Sequence, residues 1–197
     1  MLKSAGAALV ALGLVLLAGC GPKSGPTPTV NESMTKVMQP EAQVIWDITS
    51  KAFNFKGDGL DPTKVTPTDW TLLEQAGQKM KDRGAILATA KHVVVAAPGA
   101  AIMGAYAAPP GDIKATWDAA SAKQIQALID GNPGLFAQRA KIVSDTGDAL
   151  VKAAGSKDIK TLYDVSANLD EVCDGCHQKF WGTDEPPPFP VNFGKGR

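Results

Sequence analysis

The amino-acid sequence predicts an all-α fold: an antiparallel up-down four-helix bundle with an extra short helix between the second and third helices. Three observations carry this. Aromatic residues make up only 6% of the 197-residue chain, and few stretches alternate apolar and polar residues with a period of two, so strand signals are poor. Four segments carry apolar residues three and four apart, as one face of a helix does. Most links between them are short and contain Gly, Pro or Ser.

Residues 1–19 read as a lipoprotein signal peptide. Lys3 is followed by an uncharged apolar run from Ala5 to Leu17, too short for the roughly 20 residues that span a bilayer. Leu17-Ala18-Gly19-Cys20 looks like a bacterial lipobox, in which the Cys20 thiol is lipidated and becomes the mature N-terminus. Residues 20–29 are rich in Gly, Pro, Ser and Thr and form a tether reaching roughly 30 Å. Gly21 stands where inner-membrane lipoproteins often have Asp, which favours the outer membrane. The expected location is the periplasmic side of a bacterial membrane, held by the N-terminal lipid.

The bundle is expected over residues 30–181. Thr29-x-x-Glu32 fits a capping box and starts the first helix at Val30, with Met34, Val37, Met38, Ile45, Ile48 and Ala52 along its face. Pro40 cannot donate a backbone hydrogen bond, so a kink or restart is expected there. Pro67, capped by Thr66 with Asp69 at the third position, starts the second helix, whose stripe is Leu73, Ala76, Met80 and Leu87. Its end falls near Lys91, and Val93-Val94-Val95 continues the helical pattern. The Ala/Gly/Pro-rich residues 96–111 break it, a short helix spans Asp112–Asp130, and Gly131-Asn132-Pro133-Gly134 forms a turn. The third long helix covers Leu135–Ala154, and Gly155-Ser156 ends it and caps the next. The last runs over Lys157–Trp181, roughly 37 Å, with Leu162, Val165, Leu169, Cys176 and Phe180 inward. Residues 182–197 form an extended Pro-rich tail.

Composition excludes several functions. Twenty Lys+Arg balance 20 Asp+Glu, leaving no basic excess to neutralise nucleic-acid phosphates. A chain 44% hydrophobic and 20% charged is not disordered as a whole. Three Cys are too few for a disulfide scaffold, and two His exclude any site that needs three.

The motif that carries chemistry is Cys173-Asp174-Gly175-Cys176-His177, C-x-x-C-H, the attachment signature of c-type haem. Positions i, i+3 and i+4 share one helix face, so two thiols can meet the two vinyl groups on one porphyrin edge while His177 approaches the iron. A structural zinc site would want four ligands, and a thioredoxin-like redox pair would want a βαβ setting. Export fits the haem reading, since c-type haem is attached after export. The expected cofactor is one covalently bound haem c with its iron. For the opposite axial position, Met34 and Met38, four apart on one face of the first helix, are the candidates, with ordinary core packing as the competing role. His92, Met80 and Met103 are more weakly placed. Trp46, Trp70, Trp117 and Trp181 read as packing residues at core edges, with Trp181 one turn beyond the motif.

Two stretches resemble class II c-type cytochromes, the cytochrome c′ and low-spin cytochrome c556-like group. They are Met34-(x5)-Pro40-(x5)-Trp46-Asp47 and Leu169-x-x-Val172-Cys173-x-x-Cys176-His177-x-x-Phe180-Trp181. The resemblance covers residues 30–95 and 135–181. It implies Met34 as the axial ligand, with electron transfer as the function and homodimers among the partners. Many members carry an Arg in the first helix near the haem propionates, and residues 30–56 contain none. The expected function is therefore a membrane-tethered periplasmic electron carrier that meets periplasmic or membrane redox proteins and no nucleic acid. A high-spin gas-binding protein for NO or CO, with the sixth position open, is the alternative. An enzyme ranks below both, because Arg83 and His92, nine apart on one helix, do not obviously converge.

Overall fold

The computed structural model describes residues 27–56, 59–100, 102 and 121–181. The signal peptide, Cys20, most of the tether, Met103, Trp117 and the tail over 182–197 lie outside the described residues. The chain is all-α, and the described residues contain no strand, only an isolated bridge between Phe53 and Leu60. Among the described residues no helix is long and apolar enough to cross a membrane.

The first helical run, α1, joins an α-helix Val30–Ser33, a π-helical turn Met34–Met38 and an α-helix Gln39–Ala52. The expected capping box is present: Glu32 N–H donates to Thr29 Oγ1 and the Glu32 carboxylate accepts from Thr29 N–H. The expected interruption at Pro40 takes the form of the π-turn, after which the α-helix resumes at Gln39 with Pro40 in its first turn. The π-turn absorbs the proline, with Gln39 N–H donating to Met34 C=O five residues back. Helix α2 is Pro67–Thr89, capped by Thr66 as its sequence predicts. It stops before the Val93–Val95 segment, which is not helical. Those residues form a strap instead, because their carbonyls have better partners: Val94 and Val95 accept from Val30 and Asn31 N–H at 2.9 and 2.8 Å.

Helix α3 is Ala122–Gly131, so the expected start at Asp112 lies outside the described residues, and a Ser121 capping box begins the helix. Gln126 of α3 clamps the strap, donating to Val93 C=O and accepting from Val95 N–H. The expected four-residue turn shrinks to Asn132 alone, because Pro133 suits the first position of a helix and opens α4, Pro133–Ser156. Gly155 and Ser156 stay helical. Lys157 in the left-handed region (φ 55°) ends α4 instead, and the Asp158 carboxylate caps α5, Ile159–Phe180, by accepting from Lys160 and Thr161 N–H.

Helix α1 packs on α2 and α5, and α4 packs on α2 and α5. The α2–α4 contact is the closest, and small residues explain it. A Cβ added to Gly147 would sit 2.5 Å from Lys81 N and 2.6 Å from Gly77 O. One added to Gly84 would sit 2.6 Å from Ser144 N and 2.9 Å from Ala140 O. Gly77 faces Gly147 and Gly84 faces Ala140, so the helices run antiparallel with backbones nearly touching. Ser144 Oγ donates to Lys81 C=O at 2.9 Å, and the Lys81 ammonium pairs with Asp148 at 2.6 Å. Across α1 and α2, Lys79 pairs with Glu41 and Lys51 with Asp69, each at 2.6 Å. Between α1 and α5, the Thr49 and Ser166 hydroxyls share a hydrogen bond of 2.9 Å.

The buried side chains form two clusters. The first joins Met38, Ile45, Ile48, Leu73, Met80, Leu150, Leu162 and Leu169. The second joins Val30, Leu87, Val95, Ile125, Ile129, Phe136 and Phe180. The predicted stripes of the first, second and last long helices are found here, apart from Val37.

The glycine contact gives a paired expectation. Gly147→Ala should lower stability by about 1–3 kcal/mol through overpacking against backbone atoms that cannot move aside. Gly155→Ala, where an added Cβ meets nothing within 4 Å, should raise it by about 0.5–1 kcal/mol. Urea unfolding followed by circular dichroism measures both.

Candidate functional site

The inward stripe of α5 runs Leu162, Val165, Leu169, Cys173, Cys176 and Phe180, so the motif sits on a face that packing has already committed to the interior. Cys173, Cys176 and His177 are half-buried, and the two cysteines are free thiols. Burial pushes both thiols up to about 11. For Cys173 the carboxylates of Asp170 and Asp174 push the same way, whereas the Arg139 guanidinium works against the shift at Cys176. Burial also lowers the pKa of His177, with the nearby Asp174 opposing it. The imidazole is therefore neutral at neutral pH, the form that binds a metal. Its ring lies 5.5 Å from that of Trp181, tilted by 57°.

The two thiols point into different parts of the interior. Cys173 packs on the first apolar cluster and Cys176 on the second. Among the described residues, Met34 alone borders both. The alternative ligand Met38 is buried inside the first cluster, as is Met80. His92 is exposed and lines a half-open cavity of about 220 Å³ with Lys91, Asp130 and Phe136. Phe136 stacks edge-on against Phe180 at 5.5 Å, which places this cavity behind the second cluster. Arg83 is engaged elsewhere: its Nη1 donates to the buried Ser33 hydroxyl at 3.3 Å. Trp70 is buried, and Trp46 and Trp181 are half-buried at cluster edges.

Two features escape the sequence reading. Arg139 of α4 lies against Gly175, where an added Cβ would come within 2.9 Å of its Nη1. Arg139 Nε and Trp181 Nε1 are both buried without a hydrogen-bond partner. Buried donors left unpaired are uncommon and costly, and these two flank the motif. Nothing in the sequence marks Arg139, since pairing across α4 and α5 depends on helix register.

The residues fit a covalently held haem. The thiols are reduced and share one helix face, the imidazole is neutral, and a thioether borders the clusters that the thiols enter. Among the described residues, no group of three or more His, Cys, Asp or Glu side chains converges to hold a bare metal ion. Comparison with family models, with curated proteins and with solved structures gives no match.

Two expectations follow for the haem-free chain. At pH 8 the folded thiols should react with iodoacetamide about 100-fold more slowly than in the unfolded chain, since raising a thiol from 9.0 to about 11 cuts the thiolate fraction about tenfold per unit. Burial holds folded His177 below its ordinary 6.5, so the unfolded state binds the extra proton first. Stability should therefore fall as pH drops through that value, and His177→Gln should flatten the slope in urea titrations at several pH values.

Proposed function

We propose that this protein is a membrane-tethered, periplasmic monohaem c-type cytochrome that carries electrons, its four long helices forming an antiparallel up-down bundle. One observation carries the reading: the C-x-x-C thiols and Met34 border the same two apolar clusters from opposite helices. Haem, once bound, supplies one-electron chemistry between ferrous and ferric iron.

The chain's own residues then divide the work. Cys173 and Cys176 hold the group through thioether bonds, and the inward stripe of α5 fixes their direction. His177 offers a neutral nitrogen to the iron. Met34 offers a thioether sulfur from α1, and a Met/His pair raises the reduction potential. Both ligands sit on helices already tied together, α1 to α5 by Thr49 and Ser166. That limits movement between oxidation states. The apolar clusters keep water from the iron. The lipid on Cys20 would confine the search for redox partners to the membrane surface.

The test is to co-express the chain with a haem-attachment system and read its mass and spectra. The expected protein gains the mass of one haem under denaturing conditions and is low-spin, and Met34→Ala turns it high-spin. Absence of covalent haem overturns the cytochrome reading. A wild type already high-spin, with fast carbon monoxide binding, replaces the carrier with a gas-binding protein. Loss of the low-spin state in Met38→Ala but not Met34→Ala moves the ligand to Met38.

A further inference from the structure

We infer that Pro40 is a positioning residue for Met34: through the π-turn Met34–Met38 it swings the Met34 thioether from the α2 side of α1 to the α5 side, where the C-x-x-C-H motif lies. This rests on the haem reading above.

The buried positions of α1 show the device. Val30 and Ser33 are three apart, and Met38, Ala42, Ile45, Ile48 and Ala52 follow one another by three or four. Between Ser33 and Met38 the step is five. In a regular α-helix, at 100° per residue, Ser33 would sit about 140° away from Met38 and leave the stripe. The π-turn accommodates one extra residue, so everything on its N-terminal side turns by about 100° relative to a regular helix.

The two flanks of α1 are known from their partners. Glu41 and Lys51, on one side of the stripe, pair with Lys79 and Asp69 of α2. Thr49, on the other, shares a hydrogen bond with Ser166 of α5. Without the extra residue, Met34 would lie about 40° from Met38 toward the α2 flank. With it, Met34 moves to the α5 flank, and Ser33 takes the α2 flank, where Arg83 donates to it.

Pro40 is the cause that the sequence supplies. It has no N–H, and in an α-helix its ring would strike the carbonyl four residues back, that of Lys36. Widening the turn relieves the clash, and Gln39 N–H then reaches Met34 C=O.

The experiment compares haem-loaded full-length protein with two variants. In Pro40→Ala the turn relaxes toward a regular helix. The charge-transfer band of a thioether-bound ferric haem should be lost. Apparent affinity for carbon monoxide should rise about tenfold, as the fraction of chains with an open sixth position goes from about a tenth to nearly all. In the second variant Pro40→Ala is combined with deletion of Lys36, an exposed residue inside the turn. Removing the extra residue restores the rotation without a π-turn, so the thioether band and the low affinity should return. A general loss of packing would not be repaired by a deletion. Pro40→Ala with an unchanged band overturns the inference, as does a folded double variant that lacks the band. If Pro40→Ala fails to fold, the double variant decides, and failure of both to fold also overturns the inference. Wild type and Met34→Ala serve as controls: if the wild type holds no haem, the haem reading itself has failed, and if Met34→Ala keeps the band, the assignment of Met34 as ligand has failed; in either case this inference falls with it.

Discussion

The near contact of α2 and α4 sets the geometry of the rest. Gly77, Gly84 and Gly147 let the two backbones meet where side chains would hold most helices 8–10 Å apart. Lys81 and Asp148 close the edge of that seam, and Ser144 ties its hydroxyl to a backbone carbonyl across it. The large apolar side chains of all four long helices meet in the first cluster beside that seam. Met34 and Cys173 border this cluster, and Met34 and Cys176 border the second.

The interior is not one continuous cluster but two, and the division falls along the C-x-x-C face. A protein that only needed stability would gain by joining them, since each buried methylene adds about 0.8 kcal/mol. Instead Cys173 borders the first cluster, Cys176 the second and Met34 both, each of them only half-buried. Cysteine and methionine are soft and pack as small apolar groups, so the border tolerates burial while keeping sulfur and nitrogen at its surface.

Much of this was legible in the sequence, and the reason is periodicity. Leu73, Ala76, Met80 and Leu87, or Leu162, Val165 and Leu169, announce their faces by spacing alone, and Thr29–Glu32 and Thr66–Asp69 announce the helix starts. What escaped depends on partners distant in the chain. The strap over Val93–Val95 reads as helix until Val30, Asn31 and Gln126 are seen to take its backbone groups. Gly155-Ser156 reads as a helix stop, but Lys157 can enter the left-handed region and Asp158 is the better cap. The π-turn was half visible: Pro40 flags a disturbance, and the five-residue step from Ser33 to Met38 shows how it is resolved, but only burial shows that Ser33 belongs to the stripe. Arg139 was invisible, because no local pattern links residue 139 to Gly175.

The polar bookkeeping points to the same end of the molecule. Four buried polar side chains elsewhere have partners: Glu41 pairs with Lys79, Asp69 with Lys51 and Thr66, Thr49 with Ser166, and Ser33 with Arg83 and the Thr29 carbonyl. Around the motif two donors do not. Arg139 lies against Gly175 and the Trp181 ring lies by that of His177, and Arg139 Nε and Trp181 Nε1 are both buried without an acceptor. An unpaired buried donor costs about 1–3 kcal/mol, and two of them at one place are hard to explain by packing convenience. Both are donors, so what is missing is an acceptor, and the surrounding cation would welcome a negative one.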